Sequence, residues 1–470
     1  MEGMTTHDLE AATGGTLLWG SYDRAVTGIA IDSRNVKEGD LFVPLIGERT
    51  DAHVYIEAVL RQGAAAVLTS QKPEPSWRDA GPAGAVIQVD DTRKALQAIG
   101  IYYRKRLTLP LVGVTGSVGK TTTREMIAAA LSAKYQVYKT PKNHNSQVGV
   151  PVTLTKISSK DQVGVIELGM SEPGELTIIA QIAQIDMAVI TNIGVAHIEQ
   201  LGSQENILRE KLTIQDGLKA GGTLFLNGDD PMLKTVQAKD GCCTVYYGTG
   251  EHCQYRAENI EIENGYPRFM AVCTHGKEQK RITMSLNVLG KHQIWNALAG
   301  LAVADHMGVP LEAAADRMEK FGGVSNRQQI YNLGNGVVMI DDTYNASPVS
   351  MEGAIDILDS RQDATRRIAV LADMKELGAD APMYHRQVGE YLGKKKVDIL
   401  VAYGELAKEI QTGALKVHPA LKTISFFQSQ KEELKEWLET QLQPGDCILL
   451  KGSNSMNLGE AAEYVRQHYH

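Results

Sequence analysis

The segment Gly113 to Thr121, spelled GVTGSVGKT, follows an apolar run and precedes the helix-like stretch KTTTREMIAAALSA. Strand, glycine-rich turn and helix start, in that order, make a phosphate cradle. The backbone N–H groups of Gly116, Ser117, Val118 and Gly119 turn toward an anion, and the helix dipole favours negative charge there. Lys120 adds a positive charge for the outer phosphates, Thr121 offers its hydroxyl to Mg²⁺, and Thr122 continues the helix start. The strict spelling GxxxxGK(S/T) is not met, because Val114 stands where its first glycine belongs. Glycines at 113, 116 and 119 supply the freedom instead. ATP with Mg²⁺ is the ligand this chemistry predicts.

Other residue types suit the same chemistry. Glu167 ends the run VGVIE, so a parallel sheet would deliver its carboxylate to the edge where ligands and cations collect. His197 follows the run MAVITN; imidazole is an uncommon Mg²⁺ partner, so by itself this residue also reads as a packed or surface histidine. Lys211, in ILREKLTI, reads on spacing alone as a solvated helix lysine. In HQIWNALA, His292 and Asn296 are four apart and share a helix face. That suits an edge-on contact from Asn296 to adenine, and equally a polar surface near a helix start.

The elements that must hold these groups follow an α/β pattern. Strand-like runs at Gly28 to Ile31, Asp40 to Pro44 and Ala64 to Leu68, with a helical stretch from Val54 to Arg61, predict a small N-terminal α/β domain. The Pro- and Gly-rich segment from Lys72 to Gly84 reads as its boundary, followed by a helix from Thr92 to Arg106. From Leu109 onward, runs such as VGVIE, MAVITN and TLFLN alternate with helix-length stretches, the signature of βαβ units in a mainly parallel sheet. After a turn at Gly322 to Asn326, the runs GVVMIDD, RRIAVLAD, VDILVAYG and DCILLKGS predict a third, doubly wound domain. The predicted fold is therefore α/β in three domains: an N-terminal substrate domain over 1–88, a central P-loop ATPase domain over 89–314 and a Rossmann-like domain over 315–470.

Composition narrows the partners. With 48 basic against 56 acidic side chains, a net charge of -8 and no basic tract, nucleic acid is excluded as a partner. No run of about 18 apolar residues occurs, and the N-terminus lacks the basic and apolar regions of a signal peptide, so a cytoplasmic protein without membrane insertion is expected. The five cysteines show no zinc-ligand or CxxC spacing and read as free thiols. A monomer is expected.

The motifs also carry a resemblance. GVTGSVGKTT (Gly113 to Thr122), NHNSQVGVPVTL (Asn143 to Leu154), ELGM (Glu167 to Met170), TNIGVAHIEQLGS (Thr191 to Ser203), HQIWNALA (His292 to Ala299) and DDTYNASPVSM (Asp341 to Met351) resemble, in order and spacing, the Mur ligase family of peptidoglycan synthesis. DDTYNASP and LADMKELG (Leu371 to Gly378) are most similar to the branch that joins D-alanyl-D-alanine to UDP-N-acetylmuramoyl-tripeptide. The resemblance implies an ATP-dependent amide ligase that forms an acyl phosphate and passes it to an amine. It implies Glu167 and His197 as Mg²⁺ ligands, with Lys211 carbamylated by CO₂ as a further anionic ligand. Arg327 and Asp342 would meet ATP from the hinge and third domain, Arg327 as a bidentate phosphate clamp. Ser33 and Arg34, within Asp32-Ser33-Arg34, would hold the UDP end of the substrate, although a turn-forming Asp-Ser pair accounts for them equally. Asn143, Asn145 and Gln147 would meet the muramoyl-peptide, and Tyr344, Asn345 and Ser347 the dipeptide. Asn454 departs from the arginine that many relatives carry after KGS, leaving Lys451 at that strand end.

Two other readings remain open on residues alone: a sister ligase of the same fold that adds a different amine, and a nucleotide sensor that performs no ligation. The amine accepted separates the first. The presence of Lys120, Glu167, His197 and Lys211 together argues against the second, because a sensor has no need of a second metal.

Overall fold

The protein is described here by a computed structural model, covering residues 1–80, 84–276 and 278–469. Three sheets of five, nine and six strands follow one another along the chain, beside a two-stranded ribbon of Met4–Thr5 and Ala25–Val26. Each of the three is covered on both faces, which is why its strands read as unbroken apolar runs. In the nine-stranded sheet Val112, Val114, Val163 and Val165 enter one core cluster, and Leu111, Ile166, Ala188 and Ile190 enter another. Ile340, Leu371 and Leu449 oppose Met339, Val370 and Leu450 across the six-stranded sheet. Leu41, Leu68 and Ile87 oppose Phe42, Val67 and Val86 across the five-stranded one. Six core clusters are thus the two faces of three sheets.

The middle sheet runs parallel from Val137–Lys139 through Val163–Glu167, Leu111–Thr115, Ile185–Ile190 and Leu218–Asn227 to Cys243–Gly248. Leu111–Thr115 lies between Val163–Glu167 and Ile185–Ile190, so the carboxyl ends of three adjacent strands open on one crevice. Beyond Cys243–Gly248 the sheet continues with Tyr255–Glu263 and then antiparallel with Tyr266–His275 and Glu278–Ser285. The sequence reading placed none of these last three strands. Glu278–Ser285 is a largely exposed edge carrying charged residues, so it lacks the apolar run that marks a buried strand.

In the six-stranded sheet only Gln329–Gly334 is antiparallel; Val337–Asp342, Asp446–Lys451, Arg366–Ala372, Ile399–Tyr403 and Lys422–Phe426 lie parallel in that spatial order. The segment from Lys72 to Gly84 does not end the N-terminal sheet. It holds the helix Pro75–Ala80, anchored by the buried Trp77, and Ala85–Gln88 then returns to pair with Ala66–Thr69 and Thr16–Trp19. Residues 81–83 of that segment lie outside the described residues.

The helix Thr92–Arg106 starts at Asp91, whose carboxylate accepts from the N–H groups of Arg93 and Lys94. Its apolar face packs into the N-terminal core, while the buried Arg104 donates to the carbonyls of Ala183 and Gln184 in the middle unit. All five cysteines are free. Among the described residues no helix is long and apolar enough to cross a membrane.

Candidate active site

The glycine-rich loop is clamped from beneath by the next strand end. Gly116 has φ 147°, and a Cβ there would stand 1.9 Å from Thr191 Oγ1, so only glycine lets the chain pass this close. Thr191 Oγ1 and Asn192 Nδ2 both donate to the Val118 carbonyl, at 2.6 and 2.9 Å. The N–H of Val118 donates back to Asn192 Oδ1 at 2.9 Å, and that of Ser117 donates to the Asn192 carbonyl at 3.0 Å. Two of the N–H groups expected to face a phosphate are therefore spent on rigidifying the loop. The first-turn N–H groups of the helix Lys120–Leu131 have no partner within the helix and carry the anion-binding potential instead.

Lys120 is partly buried, and its Nζ donates to the Gly116 carbonyl at 2.8 Å, so the ammonium lies folded over the cradle. Burial lowers its pKa, Arg327 adds to the lowering and Glu167 opposes it. Thr121 and Glu167 are both buried. The Glu167 carboxylate accepts from Asn145 Nδ2 at 2.8 Å and from Arg124 Nη1 at 3.1 Å.

His197 has φ 64°, and its Nδ1 lies 2.6 Å from Glu376 Oε2, off the line of a well-formed hydrogen bond. Lys211 is fully buried, contrary to a solvated helix lysine, and among the described residues its Nζ has one neighbour of hydrogen-bonding type, Met170 Sδ at 3.9 Å. Burial, reinforced by the charge of Lys120, pushes its pKa well below that of an ordinary lysine.

From the C-terminal side, Asp342 and Lys451 end paired strands and form a buried ion pair at 2.7 Å, with Lys451 Nζ also donating to the Asn345 carbonyl at 3.0 Å. Burial nevertheless raises the Asp342 pKa. The Arg327 guanidinium stands 4.1 Å from the centre of the Tyr344 ring. Ser347 caps the helix Pro348–Ser360 in a reciprocal box with Ser350.

These groups surround one cavity of about 1350 Å³ between the middle and C-terminal sheets. Of the residues singled out in the sequence, Ser117 to Thr122, Asn143, Asn145, Glu167, His197, Asn296, Arg327, Asp342, Tyr344, Asn345 and Ser347 line it. Gly116 lies under the loop. Gln147 stands one contact back, donating to Glu175 of the lining at 3.0 Å. Lys211 lies behind Met170, which is part of the lining.

Ser33 and Arg34 are elsewhere, on the N-terminal unit. There Asp32 caps the turn Ser33–Asn35 and is paired with the exposed Arg34 at 2.6 Å, which holds its carboxyl at about 2. The turn-forming role is thus observed, with an exposed guanidinium left at the surface. Asn296 is buried rather than superficial: Thr123 Oγ1 donates to its Oδ1 and its Nδ2 donates to Gln293 Oε1, both at 2.8 Å, so a contact to a purine would exchange one of these.

The cavity also contains groups that sequence reasoning did not select. Arg124 sits four residues after Lys120 on the loop helix, a spacing that could have flagged it. Glu376 and Lys375 belong to a motif that was noticed, but a Lys-Glu pair in a loop carries no local sign of its partner in another domain.

The donor set fits a hard cation bound beside a polyphosphate. Among the described residues no three His, Cys, Asp or Glu side chains converge as a self-sufficient metal cage. Mg²⁺ needs none, since it keeps several waters and takes one or two carboxylates together with phosphate oxygens. The buried Thr121 hydroxyl and Glu167 carboxylate beside the glycine cradle match that demand.

Comparison with known proteins gives the family. Residues 25–104 match the Mur ligase family, catalytic domain; residues 114–304 match the Mur ligase middle domain; residues 326–454 match the Mur ligase, glutamate ligase domain. The chain is 36% identical to the UDP-N-acetylmuramoyl-tripeptide--D-alanyl-D-alanine ligase of Bacillus subtilis (strain 168), over 97% of each chain. It superposes on a crystal structure of MurF from Acinetobacter baumannii with a TM-score of 0.88 at 28% identity, covering 98% of both chains. For MurF ligase from Thermotoga maritima in complex with ADP the TM-score is 0.81 at 26% identity, covering 94% of this chain and 98% of that one. With three consecutive family domains along it and these full-length likenesses, the chain belongs to the Mur ligase family.

Proposed function

We propose that this protein joins D-alanyl-D-alanine to UDP-N-acetylmuramoyl-tripeptide, spending ATP, in the assembly of the peptidoglycan precursor. The observation that carries the reading is a single cavity with a glycine-rich phosphate cradle on one wall and the segment Tyr344 to Ser347, beside Lys451, on the other. A nucleotide and an amine-bearing substrate held on facing walls is what a ligase of this kind requires. The name of the Bacillus subtilis relative and the ADP complex of the Thermotoga maritima one support the choice of substrates and nucleotide.

In this reading the terminal carboxylate of the tripeptide attacks the γ-phosphorus of ATP, forming an acyl phosphate and releasing ADP. The dipeptide amine then attacks the acyl carbon, the amide bond forms, one proton is lost and phosphate departs. The protein contributes mainly position and charge. Lys120 leaves the Gly116 carbonyl to meet the β- and γ-phosphates, and Arg327 clamps the γ-phosphate from the opposite wall. Asp342 contacts the nucleotide and Asn296 the adenine. Asn143, Asn145 and Gln147 hold the muramoyl-peptide; Tyr344, Asn345 and Ser347 hold the dipeptide; Ser33 and Arg34 hold the uridine diphosphate end. Thr121, Glu167, His197 and a carbamylated Lys211 would hold Mg²⁺, which neutralises the phosphates as the carboxylate approaches.

Charged soluble substrates of this kind, and the lack of any membrane-spanning helix among the described residues, suit a cytoplasmic enzyme. Phosphate release measured with UDP-N-acetylmuramoyl-tripeptide, ATP and a panel of amines tests the reading. Turnover with D-alanyl-D-alanine and little with L-alanine, D-glutamate or meso-diaminopimelate is expected; preference for a single amino acid would overturn it.

A further inference from the structure

The His197 side chain faces a carboxylate from another domain. Its Nδ1 lies 2.6 Å from Glu376 Oε2, and Glu376 belongs to the loop after the strand Arg366–Ala372 of the C-terminal sheet. Both residues sit in the left-handed backbone region, His197 at φ 64° and Glu376 at φ 63°, which side-chain-bearing residues seldom adopt. Two such residues facing each other point to a geometry imposed by the tertiary structure rather than by local preference.

The surroundings dock the two segments as well. Val195 and Ile198 of the middle unit pack on the C-terminal core cluster that contains Met374 and Leu377, and Gly378 lies against Glu199. The His197 side chain is 19% exposed and that of Glu376 50%, and both line the large cavity. With Nδ1 facing a carboxylate, Nε2 is the ring nitrogen left for any other partner.

We infer that Glu376 is a positioning residue. Its carboxylate stands 2.6 Å from His197 Nδ1 and, after a small turn of the ring, accepts the Nδ1–H, so that a middle-domain imidazole becomes a competent metal ligand when the C-terminal domain is docked. A carboxylate behind a ligating histidine fixes tautomer and orientation and raises ligand basicity. Here that carboxylate comes from a different domain, so docking and metal binding are coupled: each favours the other by the same factor. The inference rests on the proposed function in taking His197 as a ligand of the second cation.

Two variants and two measurements test it. Glu376→Gln keeps an oxygen acceptor and Glu376→Leu removes it; the side chain is half exposed, so both are expected to melt like the wild type. In metal-free protein, ring ¹⁵N spectra should show His197 with its proton on Nδ1 in the wild type and a mixture of tautomers in Glu376→Leu, with Glu376→Gln between. Mn²⁺ titration by electron paramagnetic resonance, with a non-hydrolysable ATP analogue present, should show the second site weakened by about 10- to 100-fold in Glu376→Leu and less in Glu376→Gln. An unchanged tautomer together with unchanged Mn²⁺ affinity in Glu376→Leu overturns the positioning role. Absence of any second Mn²⁺ site in the wild type instead overturns the ligand assignment of His197, and is separable because the tautomer is read without metal.

Discussion

At the scale of single residues, Lys211 shows how burial changes chemistry. An amine enclosed in the protein, beside the charge of Lys120 and with no anionic hydrogen-bond partner among the described residues, is held toward its neutral form. Neutral amine is the form that reacts with CO₂, giving a carbamate and releasing one proton. We expect Lys211→Ala to lose most ligase activity and to regain part of it with added small carboxylates that fill the vacated position. A ¹³C carbamate signal should appear in the wild type under labelled bicarbonate and be absent from the variant; an unmodified lysine together with an active alanine variant would rule this out.

His292 is a second residue whose burial has a measurable consequence. Burial holds its pKa down to about 4, while its Nε2 lies 3.1 Å from Gln328 Oε1. Between its ordinary value near 6.5 and about 4, the unfolded chain binds a proton that the folded one refuses. Stability therefore falls as pH drops through that window, by about 2 to 3 kcal/mol for this group between about pH 7.5 and pH 4.5. Urea denaturation at the two pH values should show a shallower acid loss in His292→Asn than in the wild type.

At the scale of elements, the clamp between the glycine-rich loop and the Thr191-Asn192 strand end is the feature to perturb. Gly116→Ala would drive a methyl group into Thr191 Oγ1 and break the bond to the Val118 carbonyl. A stability loss of about 1–3 kcal/mol and a large loss of nucleotide affinity are expected. Gly221→Ala is the control. Gly221 also has positive φ, at 77°, but nothing lies within 4 Å of its added Cβ, so it should lose only about 1 kcal/mol and keep nucleotide binding. Equal effects in calorimetric titration with ATP would show that backbone strain alone, and not the loop clamp, decides.

At the scale of the whole molecule, the cavity has walls from two sheets, and nucleotide contacts are expected from both sides of the turn at Gly322 to Asn326. The C-terminal unit, 315–470, is the one we propose to move as a rigid body and close on substrate. Small-angle scattering should show a smaller radius of gyration with ATP analogue and UDP-N-acetylmuramoyl-tripeptide than without. No compaction would argue against closure. The helix Thr92–Arg106, packed into the N-terminal core and tied by Arg104 to the middle unit, is expected to keep those two together during the motion.

The sequence by itself determined the glycine-rich loop before its helix, the parallel α/β class and a part of the cavity lining, because each is written in contiguous residues. A glycine spacing before a helix, an apolar run buried on both faces and a carboxylate at a strand end are local facts. Tertiary structure decided what depends on distance between segments. Ser117 and Val118 give their N–H groups to Asn192 rather than to a ligand, Asn296 is enclosed by Thr123 and Gln293, and Lys211 is buried although its spacing suits solvent. The exposed strand Glu278–Ser285 and the facing pair His197 and Glu376 belong to the same class. The physical reason is common to all of them: desolvation and hydrogen-bond partners are set by whatever packs against a side chain, and packing joins residues far apart along the chain.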